Sequence, residues 1–157
     1  MKTVFAALML LSVCVLTGCP RQAHLYPVKG PLSLQNPAPV FAARFSTGLG
    51  LGHETFSVVL ANRESFKGSG TMKTGKTRLQ DASRNPASSA APDLPLAWDT
   101  VYGQGYYVAH ILGSRDSFKS QITGSRGTVL QIAMYGDSFG EKGVAQDDKG
   151  NIYKLVF

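Results

Sequence analysis

At 157 residues the chain has the length of one domain, and its 17 glycines, with many aromatic and β-branched residues, lean toward an all-β fold. The formal charge of +6 is uneven: residues 63–84 hold six Lys and Arg against two acidic residues, whereas residues 85–157 hold six against seven. The basic character therefore belongs to one segment, not to the whole surface, and no nucleic-acid partner is expected.

Met1-Lys2 supplies a positive start, and Val4 to Leu16 is apolar apart from Ser12. Thirteen residues suit the apolar region of a secretory signal, whereas a membrane-spanning helix needs about 20. Leu16-Thr17-Gly18-Cys19 closes the run, and this tetrapeptide resembles the lipobox of bacterial lipoproteins. The resemblance implies that residues 1–18 are removed and that Cys19 is acylated and becomes the first mature residue. Several acyl chains, each buried CH₂ contributing about 0.8 kcal/mol, hold a protein where one chain would not. Cys14 leaves with the signal and Cys19 carries the lipid, so no thiol remains for a disulfide, a metal or catalysis.

Five of the eight prolines lie between Pro20 and Pro39, so residues 19–39 are predicted to be an extended Pro-rich tether. Residues 40–157 are predicted to form a single β domain, a small antiparallel barrel or sandwich. Val40 to Phe45 and Thr55 to Ala61 read as strands, with Phe56, Val58 and Leu60 on one face and a reversal at Asn62-Arg63. Glu64 to Gly68 is the expected return strand.

From about 72 to 96 there is no apolar period, and a mobile basic loop is expected. Lys73, Lys76, Arg78 and Arg84 make it a candidate anion-binding loop, facing anionic lipid head groups or acidic envelope proteins. Gly70-Thr71-Met72-Lys73-Thr74-Gly75-Lys76-Thr77 matches the phosphate-binding P-loop pattern. That motif needs a buried strand before it and a helix after it, and Pro86 leaves little room for the helix. A solvated loop is expected instead.

Ala97 to Tyr102 and Tyr106 to Leu112 read as strands around Gly103-Gln104-Gly105, with Trp98, Tyr102, Tyr106 and Tyr107 packing the core and His110 structural. Phe118 to Ile122 and Gly127 to Tyr135 follow as strands. Gly136-Asp137-Ser138-Phe139-Gly140 matches the G-x-S-x-G pattern of a nucleophile elbow, and its Gly-Asp-Ser start resembles the block of secreted lipases and esterases. An elbow needs a helix behind it and a later histidine. Here His24, His53 and His110 all precede Ser138, so a hairpin turn is expected, with a serine hydrolase as the alternative function.

Lys142 to Gln146 and Ile152 to Phe157 are predicted to pair across Asp147-Asp148-Lys149-Gly150, a type I turn with a bulge at Gly150. Residues 143–153 also resemble one repeat of NHL-type β-propellers; a single copy implies only the hairpin. As a whole the chain resembles the small lipoproteins of Gram-negative bacteria, a class that brings no defined activity. The expectation is a non-enzymatic binding or structural module with no cofactor and no metal. It would be lipid-anchored in the cell envelope at the outer membrane, facing the periplasm, since Pro20 follows Cys19 where an Asp would favour inner-membrane retention.

Overall fold

The computed structural model describes residues 20–47, 53–74, 94–112, 114, 116–137 and 140–157. The expected signal peptide and Cys19 lie outside them. Eight antiparallel strands follow one another around the sheet: β1 (Arg21–Lys29), β2 (Phe41–Thr47), β3 (His53–Val59), β4 (Ser65–Thr74), β5 (Asp116–Thr123), β6 (Val129–Asp137), β7 (Gly140–Asp147) and β8 (Ile152–Val156). β8 pairs with β1, from His24 opposite Val156 to Lys29 opposite Ile152, so the sheet closes into an up-and-down barrel. Between the two architectures left open by the strand pattern, barrel is the one formed.

Strict alternation builds the wall. In β2, Phe41, Ala43 and Phe45 are buried while Ala42 and Arg44 are exposed; in β3, Phe56 and Val58 point in and Thr55 and Val59 out. Such a period of two gives each strand one apolar and one wet face. The interior is filled by aromatic rings from facing strands. Phe45 lies 4.8 Å from Phe56 and edge-on to Phe118 at 6.2 Å, and Phe41 meets Tyr153 at 6.3 Å. A barrel of eight strands has an interior that side chains can fill, and these do.

The prolines do not make a tether. Ala23, Leu25 and Pro27 alternate inward with Gln22, His24 and Tyr26 outward, so residues 21–29 are the first wall strand. Pro27 is tolerated because the β1–β8 register shifts between Pro27 and Lys29, and a bulge does not need the missing N–H. Pro31 opens a short 3-10 turn (Pro31–Leu34), and Pro37 and Pro39 complete the link to β2. The domain thus starts at Arg21, not at residue 40.

The segment expected as a basic loop is regular at both of its ends. Residues 72–74 are part of β4, paired with Phe118, Ser117 and Asp116, and residues 95–96 begin a helix; residues 75–93 lie outside the described residues. Gly68 and Gly70 sit where a β-carbon would press into Ile122 at 2.7 Å and into the Phe118 ring. The first glycine of the P-loop pattern is thus a wall position that makes room for a core phenylalanine.

The two strands expected at 97–102 and 106–112 are helical. α1 (Pro95–Tyr102) ends at Gly103, and a π-helical turn (Tyr107–Ile111) continues along the same wall. Their buried faces cover the outer side of β6–β8, where Ala97, Trp98 and Ile111 pack with Ala133, Val144 and Ile152. Aromatic and β-branched content suggested strands. The spacing of Trp98, Tyr102, Tyr106 and His110, four residues apart, is the helical signal that outweighs it. The C-terminal hairpin forms as expected: the Gly150 N–H donates to the Asp147 carbonyl at 3.3 Å, with Gly150 at φ +85° in the left-handed region that a bulge of this type requires.

Candidate functional site

Chain order in an up-and-down barrel puts alternate strand ends together. One end, here the rim, gathers the start of β1, β3, β5 and β7 with the close of β2, β4, β6 and β8. The far end gathers the β1–β2 link and the β3–β4, β5–β6 and β7–β8 turns.

At the rim, Arg21 of β1 reaches across to two carboxylates. Its guanidinium donates to Glu54 of β3 at 2.6 Å and to Glu141 of β7. The Phe157 ring lies 5.7 Å over the guanidinium and 5.4 Å from Phe45, so an aromatic side chain closes over the ion cluster. Glu54 is only 4 % exposed, and one of its oxygens, Oε2, is buried without a hydrogen-bond partner. Burial, helped by the neighbouring Glu141 charge, raises its pKa above the usual carboxylate range against the pull of Arg21.

At the far end a second carboxylate is treated in the opposite way. Glu64 is fully buried, yet its Oε1 accepts from the Arg126 and Thr128 backbone N–H groups at 3.1 and 2.9 Å. Its Oε2 accepts from the Thr128 hydroxyl at 2.6 Å and the Asn62 amide at 3.2 Å, with Lys149 Nζ 3.7 Å away. Burial opposes ionisation here too, but the four donors outweigh it and pull the carboxyl down to about 2. Beside it Asp147 accepts from Tyr153 Oη (2.7 Å), Asn151 Nδ2 (2.8 Å) and the backbone N–H groups of Lys149 and Asn151. Apart from Tyr153 of β8, the donors at this end come from the turns and their edges, so the network ties the hairpins together.

Along the helical flank the rings form a ladder. Trp98 stacks on Tyr102 at 5.5 Å, Tyr102 on Tyr106 at 4.8 Å, and Tyr106 lies 4.5 Å from His110. Lys154 sits over Tyr102 at 5.6 Å and Lys142 over Tyr106 at 5.8 Å. Tyr102 donates to the Gly143 carbonyl at 3.4 Å, and burial pushes its pKa up to about 12. Ring faces in this ladder are already occupied by neighbouring rings and lysines.

Of the candidate site residues read from the sequence, only Lys73 falls among the described residues. Lys73 belongs to β4, with its backbone opposite Ser117. Lys76, Arg78 and Arg84 lie outside the described residues, as do Cys19 and Ser138. Asp137 pairs with Gly140 across Ser138-Phe139, and β7 begins at Gly140 where an elbow requires a helix. His24 is exposed on β1, 6.3 Å from the Tyr26 ring, and His110 ends the ladder.

Arg21, Glu54, Glu64 and Glu141 carried no motif. Their only advance signal was weak: charged residues at inward positions of otherwise alternating strands. Among the described residues no three His, Cys, Asp or Glu side chains come together as metal ligands. No described helix is long and apolar enough to cross a membrane. The chain matches no family model, no curated protein and no solved structure.

Proposed function

We propose that the protein is a lipid-anchored envelope module that works by binding or as a structural element, with an acylated Cys19 as its membrane link. The observation that carries this is Leu16-Thr17-Gly18-Cys19, placed after a charged start and an apolar run. The barrel wall supports it indirectly. Between the charged groups at its two ends the described interior is apolar, and its outer face carries Arg44, Lys67 and Gln121, the reverse of the pattern in a barrel that spans a bilayer. Such a wall leaves the membrane link to the lipid, with the basic segment as a second contact. Pro20 after Cys19 favours the outer membrane.

Changing Cys19 to Ser is expected to abolish metabolic labelling with palmitate and to move the protein from the membrane to the soluble fraction. Retention of label in Cys19→Ser would overturn the anchor. The candidate anionic partner is tested separately. Each Lys or Arg near an anionic surface contributes about 1 kcal/mol, screened over about 8 Å at physiological salt. The Cys19→Ser protein should therefore co-sediment with anionic vesicles at low salt and release at high salt. A variant with Lys73, Lys76, Arg78 and Arg84 all changed to Gln should sediment far less at low salt. Equal sedimentation would leave the basic segment with no lipid role.

A further inference from the structure

We infer that the Arg21 end of the barrel is a membrane-docking rim, standing end-on against the bilayer that holds the lipid on Cys19. The inference rests on the lipoprotein reading and adds an orientation to it. Only Pro20 separates Cys19 from the first wall residue, so the Cα of Arg21 is at most about 7.6 Å from that of Cys19. A tether of twenty residues would let the barrel stand off and tumble. One residue does not.

The attachment point is also immobilised. Arg21 is paired with Phe45 in the β1–β2 ladder, donates to Glu54 and Glu141 on two further strands, and lies beneath the Phe157 ring. Swinging the anchor away from the rim would break this clamp and leave Glu54 buried without a partner, which is costly.

Apolar surface does not choose the end by itself. The rim exposes Phe157 (40 %) and, where β8 closes, Val156 (38 %); the far half exposes Leu34 (85 %), Val28, Val40 and Val59. Chain length decides instead. Nine residues of tilted β1 put Leu34 roughly 20 Å further from the bilayer than the rim.

The test uses the full lipidated protein. With Cys19 acylated, the mature sequence has no other cysteine, so single thiols can be installed cleanly at exposed positions. Val156→Cys and Leu34→Cys are labelled with a fluorophore, and each protein is reconstituted into vesicles containing a head-group nitroxide lipid. Quenching is expected to be severalfold stronger at position 156 than at 34. Equal quenching, or stronger quenching at 34, would overturn the docking.

Palmitate incorporation measured on the same samples separates the two readings. Without it the anchor and the docking both fall; with it, equal quenching removes the docking alone. Changing Arg21 and Glu54 together to Gln removes the clamp without leaving a buried unpaired charge at Glu54. The lipid should stay and the contrast between the two labels should shrink. An undiminished contrast would overturn the clamp as the orienting device.

Discussion

Trp98→Ala is expected to destabilise the protein by about 4 kcal/mol, a large part of the 5–15 kcal/mol typical of a domain. Trp98 is fully buried between the helical flank and the barrel wall, packed in one cluster with Val144, Ala133 and Ile152 and stacked on Tyr102 and Tyr106. Removing the ring deletes its own transfer energy and leaves a cavity beneath α1 that only a shift of the helix can close. Its Nε1–H is buried without an acceptor, so the ring is retained for its packing and not for a hydrogen bond. Trp98→Phe should therefore recover most of the stability. The measurement is the denaturant midpoint by far-UV circular dichroism, which does not depend on the lost indole. A midpoint unchanged in Trp98→Ala would mean that the flank is loosely attached and the barrel stands without it.

Glu64→Ala is expected to cost about 3 kcal/mol at neutral pH, because it strips the buried Thr128 N–H of its acceptor and unties the β3–β4 turn from the β5–β6 turn. Glu64→Gln should cost about half of that, since an amide oxygen can replace Oε1 but not Oε2. The pH dependence has a defined sign. The folded-state carboxyl titrates at about 2, below its ordinary value of 4.5, so the folded state favours the ionised form. That stabilisation is fully present above about 4.5 and is lost as pH falls toward about 2. Glu54 is shifted the other way, so its contribution changes mainly above the ordinary value and does not produce loss in the acid window. Urea midpoints followed downward from neutral pH should fall steeply in wild type between about 4.5 and about 2, and much less in Glu64→Gln. Parallel curves would place the acid sensitivity elsewhere.

Several features were legible because local chemistry decides them. The Asp147-Asp148-Lys149-Gly150 turn needs only an Asp that accepts backbone N–H groups and a glycine free to take positive φ. The strands at 41–47, 53–59 and 129–137 follow from alternation, and so does the all-β class. The helical flank was half legible. The four-residue spacing of Trp98, Tyr102, Tyr106 and His110 was present, but Gly103 interrupts it and the residue types favour strands.

What the sequence by itself determined about this protein is therefore its local grammar: alternating strands and one firmly specified hairpin. Tertiary structure alone decided that the sheet closes, because closure depends on β1 pairing with β8 more than a hundred residues away, and the prolines around β1 hid its alternation. It also decided the fate of the buried charges. Glu54 and Glu64 are both buried acids, and only Asn62, two residues before Glu64, sets them apart locally. One meets a single guanidinium and keeps an orphan oxygen, so burial raises its pKa; the other meets four donors from two turns, so hydrogen bonding lowers it. Opposite electrostatic outcomes arise from the same residue type because a carboxylate's energy is set by the donors the fold brings to it, and most of those are distant in the chain.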